Sequence, residues 1–123
     1  MKLRILNNSI RFRLSMTDLD TLVQKGSVTS KLPIAHGIFF SFGIQLLEDG
    51  AHIHTNLSDN QLSFSIPKSK LQHLQKSNEV GIYETLIISD KESLTLTIEK
   101  DFKCLTPRSE DETDLFPNPR EHH

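Results

Sequence analysis

Lys2, Arg4, Arg11 and Arg13 are the residues whose spacing most directly suggests a binding site. They alternate with apolar residues in two short segments on either side of Asn7-Asn8, a pair that tolerates the positive φ of a hairpin turn. Successive side chains of a strand point to opposite faces, so we expect all four cations on one face of this hairpin. Like charges on neighbouring strands repel each other, and this face therefore needs compensation. Three alternatives are open: solvation by water, docking of the chain's own acidic tail, or an external anion such as phosphate or nucleic acid.

The acidic residues that could provide this compensation are concentrated near the C-terminus. Residues 107–123 contain five Asp or Glu and two Lys or Arg, whereas residues 1–106 contain eleven and twelve. Disordered tails are usually poor in aromatic residues, so Phe116 predicts an ordered strap. We expect Phe116 to anchor this strap in a groove of the body and the acids to lie near the four cations. The tail candidates for a binding site are Asp101, Cys104, Arg108, Glu110, Asp111, Glu112, Asp114 and Phe116.

The sequence contains no complete catalytic or metal-binding pattern. Cys104 is the single cysteine, which excludes an internal disulfide and a Cys-x-x-Cys zinc site. It lies beside Lys103 and could act as a nucleophile, but no signature of a cysteine enzyme surrounds it and packing is the commoner role. His52 and His54 lack a third ligand nearby, and the acidic run Glu110–Glu112 lacks the spacing and glycine of a calcium loop. We therefore predict no catalytic residue, no metal ligand and no cofactor.

The elements that position these residues repeat once along the chain. The segment from Asn8 to Leu22 aligns without a gap on the segment from Asn60 to Leu74. In both segments the apolar positions change from alternating to helical spacing at the same point. Each half predicts a hairpin, a short helix and a second hairpin. The result is an α+β fold of mostly antiparallel strands and two short helices, a pseudo-twofold repeat of ββαββ units.

The same repeat sets the predicted boundaries. We predict one domain over residues 1–104, with halves of about 1–50 and 51–104, and an acidic extension over 105–123 that packs back on it. Closure of the strands into a small barrel would protect the edges of the sheet.

Length and composition indicate the class of protein. A chain of 123 residues is the size of one domain, and 36% hydrophobic with 24% charged residues is an ordinary globular composition. No apolar run approaches the ~20 residues that span a bilayer, and the N-terminus lacks the apolar centre of a signal peptide. These features predict a cytoplasmic protein with no membrane partner. Glu121–His123 is either native sequence or the start of an expression tag.

The second half is similar to the AbrB-type swapped-hairpin domains of transition-state regulators and antitoxins. The shared pattern is a strand that ends in Ile66-Pro67, a short helix containing Leu71 and Leu74, and a second hairpin that begins near Val80. In that family two chains intertwine. The resemblance implies that two tandem copies make, in one chain, the pseudo-dimer that the family makes from two.

Nearly the whole chain also resembles a family of short uncharacterised bacterial proteins. The motifs are Lys2-Leu-Arg-Ile at the start, and Glu99-Lys-Asp-Phe-Lys-Cys-Leu, Glu110-Asp-Glu and Phe116-Pro-Asn-Pro near the end. This resemblance implies no assigned activity.

The function therefore remains open, and we favour a non-enzymatic binding or accessory module with a protein partner that the sequence does not identify. One alternative is an AbrB-like nucleic-acid binder that uses the Arg11/Arg13 face, although a nearly neutral domain lacks the wide positive field that such binding usually needs. The other is a small enzyme or ligand-binding protein that uses Cys104 and the acidic tail. The sequence does not predict the oligomeric state.

Overall fold

The structure of the protein, a computed structural model, describes residues 1–103 and 111–119. Three candidate site residues, Cys104, Arg108 and Glu110, lie outside the described residues. The elements, in chain order, are β1 (Lys2–Leu6), β2 (Ser9–Leu14), α1 (Met16–Lys25), β3 (Ser27–Ala35), β4 (Ile38–Leu47), β5 (His54–Ser58), β6 (Gln61–Pro67), α2 (Lys68–Lys76), β7 (Gly81–Ser89) and β8 (Glu92–Lys100). The predicted α+β fold, with hairpins and short helices in two ββαββ halves, is confirmed.

Local interactions explain where the helices begin and where α1 ends. The Ser15 hydroxyl accepts a hydrogen bond from the Asp18 N–H at 3.1 Å, and an Asp18 carboxylate oxygen accepts one from the Ser15 N–H at 3.0 Å. This reciprocal capping box satisfies two backbone donors at the start of α1. Gly26 adopts a φ of 90° and ends that helix. Pro67 directly precedes α2, where a missing N–H costs no intrahelical hydrogen bond.

The strands form two four-stranded sheets, and each sheet contains one hairpin from each half of the chain. Sheet 1 has the order β1-β2-β8-β7, and sheet 2 has the order β3-β4-β6-β5. The two hairpins of each sheet meet through a parallel pair, β2 with β8 or β4 with β6. The predicted closure into a small barrel is wrong. Within residues 1–103 and 111–119 both sheets are open, because the exchange of hairpins places β1 and β7, or β3 and β5, at opposite edges.

The internal repeat is visible in the register of the strands. The Thr95 N–H donates to the Asn8 carbonyl oxygen, and the Ser41 N–H donates to the Asn60 carbonyl oxygen, both at 2.9 Å. First hairpins therefore correspond at an offset of 52 residues (Asn8 to Asn60), and second hairpins at an offset of 54 (Ser41 to Thr95). The parallel β2–β8 and β4–β6 pairs follow these same offsets throughout. Both halves thus use the same ladder geometry.

The internal contacts of the chain divide it into two compact units. The first combines Met1–Asp18 with the described part of Glu79–His123, and the second is Leu19–Asn78. The buried apolar side chains of the first unit are Ile10, Phe12, Leu14, Leu96, Ile98 and Leu115. Those of the second are Leu19, Leu22, Ile44, Phe64, Ile66, Leu71 and Leu74. This division does not test the boundary at residue 104, which stays a prediction.

Candidate functional site

The four predicted cations lie together on one face of sheet 1. In the β1–β2 pair, Lys2 is opposite Arg13 and Arg4 is opposite Arg11. Phe12, between the two arginines of β2, is fully buried, so the arginines point to the other side of the sheet. We call Lys2, Arg4, Arg11 and Arg13 the cationic face.

Glu99 and Asp101 contact the cationic face. Glu99 lies on β8 opposite Arg13, and its Oε1 is 3.2 Å from Arg11 Nε and 3.9 Å from Arg13 Nε. Asp101, which follows β8, places Oδ2 2.9 Å from Lys2 Nζ. The carboxylate side chains are 18% and 7% exposed, whereas the paired cations are 40–44% exposed. The acids are therefore the more deeply buried members of these pairs, and the cations remain accessible to a ligand.

Arg4 differs from the other three members of the cationic face in its contacts. Within the part of the chain that the structure describes, Lys2, Arg11 and Arg13 each make an ion pair and Arg4 makes none. A depression of about 430 Å³ is lined by Arg4, Arg11, Ser9, Thr95 and Thr97 together with Leu6 and Ile10. A second one, of about 150 Å³, lies between Arg4, Arg11 and the other two cations. Guanidinium and hydroxyl donors around an open depression can bind a carboxylate or a phosphate.

Tyr83 extends this charge network across sheet 1. Its hydroxyl donates to Glu99 Oε2 at 3.2 Å. Burial raises the pKa of Tyr83 above its ordinary value, and the charge and hydrogen bond of Glu99 raise it further. Glu99 thus contacts two arginines and the tyrosine at once. The sequence placed Glu99 on the last strand but did not show that this strand lies beside β2, so the central acid of the site was missed.

The described part of the C-terminal segment packs against the end of β8. The Phe116 N–H donates to the Asp101 carbonyl oxygen at 2.9 Å, and the Phe116 carbonyl oxygen accepts from the Lys103 N–H at 2.7 Å. The rings of Phe102 and Phe116 meet edge to face with centroids 6.0 Å apart, and Lys100 Nζ lies 5.5 Å from the Phe116 ring centroid. Leu115 is buried beside it in the sequence. Backbone pairing and aromatic contact therefore hold residues 115–116 in place.

Asp114 contacts the first turn of α1. Its carbonyl oxygen accepts from the Met16 N–H at 3.0 Å, and its Oδ1 accepts from the Thr17 N–H at 3.2 Å and the Thr17 hydroxyl at 2.9 Å. Hydrogen bonds from the side chains of Ser15 and Thr17 hold the pKa of Asp114 below its ordinary value. An anion at a helix N-terminus is also favoured by the helix dipole.

The tail candidates thus separate by location. Asp101 contacts the cationic face through Lys2, and Asp114 contacts helix α1. Asp111 accepts a hydrogen bond from the Thr113 N–H at 3.0 Å, which lowers its pKa. The general docking of the tail acids on the four cations stays a prediction, because part of the acidic run lies outside the described residues.

The described residues form neither a metal-binding cluster nor a membrane-spanning helix. In the described ranges, no group of three or more His, Cys, Asp or Glu side chains is arranged to hold a metal ion. Among those same residues, no helix is both long enough and apolar enough to cross a bilayer.

Comparison with known proteins identifies a family without identifying an activity. A search of curated proteins and a search of solved structures both found no match. A family model, described as a family of unknown function (DUF7009), matches residues 1–120. This match agrees with the expectation of an uncharacterised family, and it covers more than half of the chain. The protein belongs to the DUF7009 family.

Proposed function

We propose that this protein is a non-enzymatic binding module whose cationic face recognises an acidic segment of a protein partner. Arg4 and Arg11 are the primary contacts, because both line the two depressions on that face. Arg13 and Lys2 extend the positive field. Thr95 and Thr97 add hydroxyl groups, and the neighbouring Leu6 and Ile10 provide apolar contact.

The observation that carries this proposal is the difference between the two sheets. The positions of sheet 2 that correspond to the cationic face hold His54, Asn56, Ser63 and Ser65, and the position that corresponds to Glu99 holds Gln45. Sheet 2 forms the same ladder in the same register without any Lys or Arg at these places. The ladder itself therefore does not require the cations, and the cost of placing like charges on neighbouring strands favours a role in binding.

The charge of the chain favours a protein partner over a nucleic acid. The formal net charge is −2, whereas affinity for nucleic acids comes from neutralising several phosphates at once. A short acidic segment needs fewer cations. Guanidinium groups bind carboxylates through two parallel hydrogen bonds, and the pairing of Glu99 with Arg11 places a carboxylate against a guanidinium of this same face.

A second candidate function, AbrB-like nucleic-acid binding through Arg11 and Arg13, is favoured by one observation. Each sheet joins a hairpin of one half to a hairpin of the other half, which is the exchange expected from two tandem swapped-hairpin copies in one chain. This topology supports the resemblance. It concerns the fold, and a face with four cations is small for binding a duplex.

Binding titrations separate these candidates. A fluorescently labelled peptide rich in Asp and Glu and a labelled DNA duplex of mixed sequence are titrated by anisotropy at low and physiological salt. We expect the peptide to bind and Arg4→Glu to weaken it by about tenfold or more, because Arg4 makes no ion pair in the described ranges that the substitution would break. The control Lys25→Glu makes the same charge change on an exposed residue of α1 and should leave binding unchanged.

The other possible results of these titrations either favour the second candidate or count against the cationic face. Duplex binding that weakens steeply with salt, without peptide binding, supports the second candidate. Equal loss in both variants shows that overall charge, and not this face, determines binding. Absence of binding to either probe at low salt refutes both candidates.

A further inference from the structure

The two long edge strands, β3 and β7, differ in the features that protect sheet edges. Both contain nine residues, both lie at an edge, and both carry a bulge at corresponding places, between Pro33 and Ala35 and between Ile87 and Ser89. At the offset of 54, Lys31 of β3 corresponds to Thr85 of β7, and Pro33 corresponds to Ile87. Lysine and proline are common blocks against pairing at an edge. The β3 edge therefore has two such blocks that β7 lacks.

Pro33 also indicates which backbone groups of β7 point outward. Proline has no N–H, yet Pro33 stays in register with Phe39 of β4. In an edge strand this requires that the N–H side of the position faces away from the neighbouring strand. Ile87 occupies the same place in β7, and alternation along the strand directs the N–H and C=O groups of Thr85 and Tyr83 outward as well.

We propose that β7 pairs antiparallel with β7 of a second copy of this chain, so that two copies of sheet 1 join into one continuous sheet. Among the described strands none pairs with the outer side of β7. The interface uses this edge and does not depend on the proposed function of the cationic face.

The sequence of β7 selects one register for this pairing. When the twofold axis passes through Thr85, each Tyr83 faces an Ile87 and each Glu84 faces a Leu86. Aromatic residues opposite β-branched residues form favourable cross-strand pairs, and no like charges lie opposite each other. An axis through Glu84 would instead place the two carboxylates face to face. The chosen register also covers Ile87, which is 77% exposed, and Tyr83, which is 57% exposed.

The other edges are less suited to self-pairing. Strands β1 and β5 contain five residues each, and β1 carries Lys2 and Arg4. In self-paired β1 these cations would be brought together across the interface, which opposes association. β3 has the lysine and proline described above. This leaves β7 as the nine-residue edge strand that carries neither lysine nor proline.

The test transfers the two β3 blocks to β7. Thr85→Lys/Ile87→Pro is compared with the wild type by analytical ultracentrifugation over a range of concentrations. We expect wild-type protein to move from one to two chains of 14.0 kDa as its concentration rises, and the double variant to stay at one chain. The variant is expected to fold, since β3 accepts the same residues at the corresponding places; circular dichroism verifies this. Thr29→Lys makes the same change on β3 and should leave the dimer intact.

Cross-linking tests the register directly. In a Cys104→Ser background, Thr85→Cys should form an intermolecular disulfide, because Thr85 faces its own copy across the axis. Ser89→Cys should not, because Ser89 faces Gly81. Two results overturn the proposal: a wild-type chain that stays monomeric at every concentration, or a dimer that Thr85→Lys/Ile87→Pro does not weaken by at least about tenfold.

Discussion

Replacing Glu99 with glutamine tests whether the charge network on sheet 1 stabilises the first unit. The substitution keeps the size of the side chain and removes its ion pairs with Arg11 and Arg13, at 3.2 and 3.9 Å. Exposed ion pairs contribute about 0.2–1 kcal/mol each, and this carboxylate is only 18% exposed. We therefore expect Glu99→Gln to lower the free energy of unfolding by about 1–2 kcal/mol. For a chain of this size the melting temperature should fall by about 4–8 °C.

Tyr83 provides an independent measurement of the same network. It is the single tyrosine, and the chain has no tryptophan, so its ultraviolet absorbance reports one group. Because burial is the first cause of its raised pKa and Glu99 the next, Glu99→Gln should lower that pKa while leaving part of the rise. A tyrosine whose pKa is raised by folding contributes stability that is fully present below its unfolded pKa and is lost as pH rises through the folded value. Wild-type protein should therefore lose more stability than Glu99→Gln in this alkaline range.

The control for both measurements is Glu92→Gln, which makes the same change at an exposed residue of β8. Glu92 accepts a hydrogen bond from the Ser89 hydroxyl at 3.0 Å and has no ion pair among the described residues. Its effect should stay within about 0.5 kcal/mol. High salt should also reduce the difference between wild type and Glu99→Gln. If Glu99→Gln is as stable as Glu92→Gln and leaves the tyrosine titration unchanged, the network has no energetic role and the reasoning is refuted.

Three further predictions concern the C-terminal segment and sheet 2. Asp114→Asn should destabilise the protein at neutral pH and lose this effect in strong acid. A carboxylate whose pKa is lowered by folding contributes stability above its unfolded pKa, and this stability is lost as the pH falls through its folded pKa. Urea unfolding at neutral and at strongly acidic pH measures the difference. Phe116→Ala should cost about 1–3 kcal/mol, because it removes the edge contact with Phe102 from a half-buried ring. Gly43→Ala should cost about 1–3 kcal/mol, because a Cβ there would lie 2.5 Å from the Val28 carbonyl oxygen; thermal unfolding measures both losses.

Matched variants exist for each of these changes. Asp90→Asn removes an exposed acid from the β7–β8 turn, Phe39→Ala removes a ring that is 48% exposed, and Ser41→Ala changes the strand that contains Gly43. Each should cost less than its partner. A pH-independent effect of Asp114→Asn, or a Phe116→Ala variant as stable as Phe39→Ala, would contradict the contacts described for residues 114–116.

Local signals in the sequence were sufficient for the elements of this fold. Ser15 and Asp18 mark the start of α1 as a capping box, Gly26 marks its end, and alternation of apolar residues marks the strands. The order of strands within a sheet depends on contacts between distant residues. The parallel pairing of β2 with β8 joins segments about 86 residues apart, as from Ser9 to Thr95, and no local pattern specifies it. The predicted barrel failed for this reason.

The difference between local patterns and contacts of distant residues also explains which parts of the site were predicted. Alternation within one hairpin was enough to place the four cations on one face. Glu99 and Tyr83 lie on strands of the other half, and their contact with Arg11 follows from the exchange of hairpins. The gapless alignment of Asn8 with Asn60 implied two copies of one topology, and thus two equivalent sets of hairpins. Their pairing partners, however, could be assigned only once the sheets were known.

The differences between the two sheets support a functional reading of sheet 1. The shared fold of the two halves requires similar residue types at buried positions and leaves exposed positions free to differ. Core positions do agree, as Phe12 and Phe64 are both fully buried. The outward positions do not agree: Arg11 corresponds to Ser63, Glu99 to Gln45, and Tyr83 to Thr29, and Lys31 and Pro33 protect only β3. The stability of the fold explains the shared core. It does not explain why the cationic face and an edge strand without lysine or proline, β7, both occur on sheet 1. The two proposed contacts, an acidic partner segment on the cationic face and a second copy on β7, would each give one of these features a role, and the experiments on Arg4 and Thr85 test them separately.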